Sequence, residues 1–210
     1  MMKITKYIHS CLLIEDQKKT ALIDPGQFSY DARIMDISTI PSLDYILITH
    51  EHADHLSVPF LKDLLARFPK VEVFSNAGVA AVLAKDGISV KTEANGYFSF
   101  QDAAHEKIFP GWPLPENSVF TVFGRLTHPG DSLHFSQTTD ILAMPTQAPW
   151  GSTVACAEKA AELKPKYIIP IHDWHWHDQA RVWNYQMLSK YFETQGIRFI
   201  SVEDGKPVEL

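Results

Sequence analysis

The segment that most constrains this chain is His50-Glu51-His52-Ala53-Asp54-His55. It follows Asp44-Tyr45-Ile46-Leu47-Ile48-Thr49 directly, an apolar run that reads as a strand buried on both faces. Any fold that accommodates it must carry three imidazoles and a carboxylate at the end of a central strand. In an extended segment, residues two apart point the same way, so His50 and His52 can bind one metal ion side by side. A turn toward the helix expected from Ser57 can aim Asp54 and His55 at a second point. Imidazole together with carboxylate suits zinc, and also manganese or iron. The ordinary alternative is a polar loop with surface histidines. Three histidines and an aspartate within six residues, straight after a buried strand, outweigh it.

Four donors cannot complete two metal sites, so others must converge from elsewhere. Of the ten histidines, six lie in the windows 50–55 and 172–177. Three further donors each follow an expected strand: His105 in Asp102-Ala103-Ala104-His105, Asp131 in Thr127-His128-Pro129-Gly130-Asp131, and His172 in Ile169-Pro170-Ile171-His172. His128 competes with His105 for the third imidazole, and spacing favours His105. Trp150, Trp174 and His175 are substrate-contact candidates, and Trp112 and Trp176 could wall the same cleft, although loop aromatics equally cap cores. His175 and His177 could line a pocket or form a polar entry to the last helix. His9 reads as a supporting partner or as a plain strand residue, and His134 as surface. Asp24 could orient a ligand histidine or simply form the turn before Pro25-Gly26.

The remaining pattern mixes β and α. Alternation predicts strands over 3–9 and 11–15, a polar turn at 16–19 and a strand over 20–23. Val58, Leu61, Leu64, Leu65 and Phe68 have helical spacing, with Ser57 as N-cap and Pro59 in the first turn. Further helices are expected over 76–85, 152–163 and 178–195, and further strands over 71–74, 88–91, 97–100, 119–126, 140–144, 167–171 and 197–202. The Pro-rich stretch 101–118 reads as a surface loop able to shape a site. Pattern alone supports only a mixed α and β class.

At 210 residues the chain suits one domain. With 45% hydrophobic and 21% charged residues it has the balance of a soluble globular protein. A formal net charge of -6 lacks the positive field of a general nucleic-acid binder. No apolar run approaches a membrane span, and the N-terminus has no signal-peptide core. The two cysteines, Cys11 and Cys156, sit in apolar surroundings and form no disulfide framework. The expectation is a cytoplasmic protein that acts on a small molecule, not on nucleic acid or membrane; a homo-oligomer is compatible with the sequence.

The order His-x-His-x-Asp-His, a lone His, a Gly-Asp and a late Pro-x-His resembles the metallo-β-lactamase superfamily. Met2-Lys3-Ile4-Thr5, His9-Ser10-Cys11, Leu22-Ile23-Asp24-Pro25 and Lys164 to His172 are similar to its branch of small metal-dependent hydrolases related to L-ascorbate-6-phosphate lactonase. The resemblance covers the chain from its start to about His172. It implies a single domain over 1–210 with a four-layer αββα sandwich. It also implies two divalent metal ions, zinc foremost with manganese or iron as alternatives. His50, His52 and His105 would hold the first, Asp54, His55 and His172 the second, and Asp131 would bridge them. A hydroxide between the metals would attack a lactone, ester or phosphoester, with Asp54 orienting it. The chain differs from the branch at Glu106, across the Pro-rich loop 109–117 and over 173–177, segments expected to set the substrate. Three other readings share the scaffold: a metal-dependent nuclease or phosphodiesterase, which the net charge disfavours; an iron enzyme performing oxygen chemistry on sulfur compounds; and a metal-binding protein without activity.

Overall fold

A computed structural model describes all 210 residues. Strands β1 (Lys3–Lys6), β2 (Leu12–Asp16), β3 (Lys19–Ile23), β4 (Tyr45–Leu47) and β5 (Glu72–Phe74) build one sheet. Strands β6 (Phe98–Asp102), β7 (Ser118–Val122), β8 (Leu126–His128), β9 (Ile141–Pro145), β10 (Tyr167–Ile171) and β11 (Arg198–Phe199) build a second, and β12 (Pro207–Glu209) returns to the first. The orders are β12-β1-β2-β3-β4-β5 and β11-β10-β9-β8-β7-β6. The helices are α1 (Gln27–Asp31), α2 (Val58–Arg67), α3 (Ala77–Ala84), α4 (Thr153–Leu163) and α5 (Asp178–Thr194).

Strand parity explains the layering. Leu12, Ile14, Ala21, Ile23, Tyr45 and Leu47 face Phe120, Val122, Ile141, Ala143, Ile169 and Ile171, closing a core between the sheets. The intervening residues Leu13, Leu22, Ile46 and Ile48 turn outward and meet Phe60, Leu61 and Leu64 of α2 and Val79 and Leu83 of α3. On the far side, Leu142, Met144 and Ile168 meet Ala157 and Ala160 of α4 and Leu188 and Phe192 of α5. Both faces of each central strand are therefore buried, as a continuous apolar run requires. The result is four layers, αββα, the sandwich that the sequence resemblance implies.

Local chemistry agrees with the boundaries. Ser57 caps α2 by accepting from Phe60 N–H, Asn76 caps α3 and Ser152 caps α4. The β2–β3 hairpin turns through Gln17 and Lys18 at φ 51° and 62°, the positive values a tight hairpin demands.

Four expectations from sequence need correction. The strand expected over 119–126 is a hairpin, β7–β8, because Phe123 and Gly124 turn at positive φ. The stretch 88–91 contributes only an isolated bridge, Lys91 to Phe74. Pairing over 197–202 is confined to Arg198–Phe199. The first strand stops at Lys6, and Ile8 and His9 adopt left-handed φ of 66° and 58°, which no strand continues through. Helix α1 and strand β12 carry too little periodicity to be read from sequence.

Candidate metal centre

Topology brings the donors to one edge. Strands β6 and β8 are both antiparallel to β7 and so run the same way, and β8, β9 and β10 are parallel. The chain leaves β6, β8 and β10 on the same side, just before His105, Asp131 and His172 respectively. In the other sheet β3 and β4 are parallel, and their ends deliver Asp24 and the 50–55 segment. Sites at the carboxyl ends of parallel strands are a general outcome of such sheets.

The 50–55 segment is a tight turn, not an extended stretch. The N–H groups of His55 and Leu56 both donate to His52 C=O, at 2.9 and 2.8 Å. The Asp24-Pro25-Gly26 turn lies against it, with Gln27 N–H donating to Ala53 C=O at 2.7 Å. A Cβ on Gly26 would stand 1.7 Å from the Asp54 carbonyl oxygen, so only glycine fits there. Gly130 has φ 57°, and a Cβ there would meet Asn117 Oδ1 at 2.2 Å. Asn117 in turn accepts from Asp131 N–H at 3.1 Å and donates to Pro129 C=O at 3.0 Å, pinning the loop that carries Asp131.

Two groups of side chains have ligand atoms within 4.8 Å of one another: His50, His52, His105 and Asp131, and His9, Asp54, His55 and His172. Asp131 stands between them. Its Oδ2 lies 3.9 Å from His50 Nε2 and 3.5 Å from His105 Nε2. Its Oδ1 lies 3.0 Å from His55 Nε2 and 2.6 Å from His172 Nε2. All seven donors expected from sequence thus converge. His9 joins them, with Nε2 3.1 Å from Asp54 Oδ2.

The outward nitrogens are anchored, which fixes the inward ones. His55 Nδ1 donates to Asp24 Oδ2 at 2.7 Å. Thr49 hydroxyl donates to Asp24 Oδ2 at 2.9 Å and accepts from His50 Nδ1 at 3.0 Å. His105 Nδ1 donates to the Glu106 carbonyl at 2.6 Å. Each of these imidazoles therefore turns Nε2 toward the centre. His50 Nε2 and His105 Nε2 are buried there without a hydrogen-bond partner. Buried polar atoms are normally satisfied; here the missing partner of a convergent nitrogen–oxygen set fits a divalent cation.

The electrostatics fit as well. Burial, helped by His55, holds His50 well below the usual imidazole range, and burial lowers His52 too. Burial, then His172, brings His9 down to about 3. Burial acts to raise Asp131 and Asp54, but the surrounding histidines overcome it and hold both carboxyls below their usual range. For His55, burial works downward, and Asp131, Asp24 and Asp54 together push it well above the ordinary value. The cluster thus sets ionised carboxylates beside neutral His9, His50 and His52, whereas His55 keeps a proton that a bound cation would displace.

A cleft of about 390 Å³ opens over this centre, reaching His52, Asp54, Asp131 and His172 at its floor. Trp150 lines it and donates its indole N–H to Asp131 Oδ2 at 2.8 Å. His175 and Trp112 line it too. Trp174 stacks on Phe28, whose ring forms part of the wall, with centroids 4.0 Å apart. Trp176 packs instead toward the core beneath α5. His177 caps α5. His128 is buried outside the cluster with both nitrogens engaged, Nε2 donating to Ser10 C=O and Nδ1 accepting from Gly130 N–H. Exposed His134 lies 3.3 Å from Glu106. Reading the sequence missed Thr49, Asn117 and the Trp150–Asp131 bond, because each acts on a residue brought close only by the fold.

One more contact fixes the loop after His172. Strand parity places Lys6 with Met2 and Ile4 on the face between the sheets. There its fully buried ammonium meets Asp173 Oδ2 at 2.6 Å and Asp204 Oδ1 at 3.2 Å. Tyr185 hydroxyl donates to the same Asp173 oxygen at 2.5 Å.

Known proteins agree with this architecture. Protein Rv0786c of Mycobacterium tuberculosis is 34% identical over 182 residues, covering 81% of this chain and 84% of the relative. A protein of Nanoarchaeum equitans named a UPF0173 metal-dependent hydrolase is 28% identical over 193 residues, covering 81% and 83%. Among solved structures, the metallo hydrolase Igni18 of Ignicoccus hospitalis superposes with a TM-score of 0.70 at 14% identity, over 100% of this chain and 99% of its own. The beta-lactamase superfamily domain matches residues 3–172, the span holding both donor groups, and the chain belongs to that family.

Proposed function

We propose that this metal-dependent hydrolase cleaves a lactone, ester or phosphoester of a small molecule with two divalent cations. His50, His52 and His105 would hold one, and Asp54, His55 and His172 the other, with Asp131 shared. The observation that carries the reading is the pair of donor groups meeting at Asp131, with buried imidazole nitrogens left unpaired between them. Cations held there would lower the pKa of a bound water from 15.7 to about 7 and so make hydroxide available at neutral pH, and would offer positive charge to a developing oxyanion. Zinc is the metal the donor set suits best.

The chain's own residues do the positioning. Asp24 and Thr49 hold His55 and His50 in one orientation, and Trp150 and Asn117 hold Asp131. Asp54 is the least buried of the convergent carboxylates and opens onto the cleft. Its place on the cleft lining beside Asp131 and His172 supports an orienting role for Asp54. The cleft volume suits a small molecule.

Metal analysis of the purified protein should find two divalent ions per chain. Asp54→Ala should lower kcat/KM about 100-fold or more on any ester or lactone the wild type turns over. A metal-free protein whose Asp54→Ala variant remains fully active would overturn the reading.

A further inference from the structure

The cleft wall differs in chemistry from its floor. Above the donors, the wall is built by Phe28, Ile108, Trp112, Leu114, Pro149 and Trp150. Three come from the irregular segment between β6 and β7, two from the segment after β9 and one from α1. The outer members are unusually exposed for such residues, Trp112 at 62% and Leu114 at 40%, with Phe109 beside them at 53%. Phe109 and Trp112 lean on one another with ring centroids 5.0 Å apart. Trp174 backs Phe28 from behind in a parallel stack at 6°. Exposed apolar side chains gathered on one rim mark a contact surface, whereas scattered ones do not.

The charges in the cleft point the same way. No lysine or arginine lines it, and its charged side chains are Asp54 and Asp131, both at the floor. A phosphate or carboxylate on the body of a substrate, away from the metals, would find no cation there and would lose its hydration against aromatic rings. An apolar body would instead be desolvated favourably.

Building on the proposed function, we infer that the substrate is a neutral carboxylic ester or lactone with an alkyl or aryl body. The body rests against Trp112, Leu114 and Phe28, and the carbonyl meets the metal centre. The reaction is hydrolytic: the acyl C–O bond breaks, the oxygen of water joins the acyl carbon, and a proton from that water ends on the departing alkoxide oxygen. Nothing is oxidised or reduced. Phosphorylated small molecules are the class this wall disfavours.

The test uses the metal-loaded full chain and substrates that share one leaving group: p-nitrophenyl acetate, butyrate and octanoate, p-nitrophenyl phosphate, and bis-p-nitrophenyl phosphate. The expected result is a kcat/KM that rises by about two- to fourfold per added methylene and exceeds that of both phosphates. Trp112→Ala and Leu114→Ala, at exposed positions, should each flatten that slope, mainly through KM, with metal content unchanged. A flat or falling slope in the wild type, or faster turnover of a phosphate than of every acyl ester, overturns the inference and leaves the hydrolase standing. Binding of N-octylacetamide, which carries the body without a scissile ester, is measured by calorimetry in parallel. Saturable binding weakened by Leu114→Ala supports the apolar wall even if no ester is cleaved, an outcome that would instead sink the proposed hydrolase chemistry. No detectable binding by the metal-loaded protein overturns the wall.

Discussion

Asp24 shows how much one side chain contributes to this centre without touching a cleft. Its Oδ2 accepts from His55 Nδ1 and from Thr49 hydroxyl, and its Oδ1 accepts from Thr49 N–H at 2.8 Å. It does so from a left-handed backbone, φ 51°, a conformation aspartate tolerates better than most residues. Asp24→Asn keeps the size and loses the charge that steadies His55. It should weaken divalent-metal affinity about 10- to 100-fold, read by chelator competition, while far-UV circular dichroism stays native. Gly26 makes a steric demand in the same turn. Gly26→Ala should cost about 1–3 kcal/mol in urea unfolding, because the new methyl must push away the Asp54 carbonyl. It should also lower metal occupancy, since that carbonyl belongs to the donor turn.

Between elements, a fully buried ion pair ties Lys6 to Asp173. It reaches from the inner face of β1 to the loop that follows β10, and so holds His172 in place from the opposite sheet. Asp173→Ala should destabilise the fold by about 3–5 kcal/mol, since it strands a buried ammonium. Asp204, at 3.2 Å from Lys6, keeps the loss toward the lower figure. Urea denaturation of Asp173→Ala beside a Lys6→Met/Asp173→Leu double variant checks it: the double variant should recover part of the loss. The same pair marks where sequence reading ended. Runs such as Ile46–Ile48 and Ile168–Ile171 were legible because burial on two faces leaves no polar option. The turn motif 50–55 was legible because four donors in six residues have few other uses. Nothing local to Lys6, a lysine on a short alternating strand, says that it is buried or that its partner stands 167 residues away. Asn117 and the bond from Trp150 to Asp131 were opaque for the same reason. The hairpin break at Phe123-Gly124 was missed because a phenylalanine at positive φ runs against its own propensity. Spacing favoured His105 over His128 as a donor, and the fold shows a reason: the hydrogen-bonding capacity of His128 is already used by Ser10 and Gly130.

For the molecule as a whole, the centre joins two sheets that otherwise meet through an apolar core. The first sheet delivers His50 to His55, and the second delivers His105, Asp131 and His172. Cations bound between them would cross-link the two halves, so metal removal should be felt globally. Free metal at about 100 times its Kd contributes about 2.7 kcal/mol per site, or roughly 5–10 °C in Tm for a chain of this size. Thermal unfolding in EDTA and after readdition of zinc tests this; identical transitions would mean the centre binds no metal tightly. The placement of these donors along the chain also has a consequence in time. During synthesis β1 to β5 of the first sheet emerge early, together with the four-donor turn. Asp131 follows only with the second sheet, His172 comes more than a hundred residues after the turn, and Asp173 comes with it. Until then the nascent half-sandwich carries an uncovered apolar face and an open cluster of histidines facing solvent or a chaperone. Complete metal loading is therefore an event of the finished chain, and a ribosome stalled before residue 172 would display a protein able to capture metal only partially.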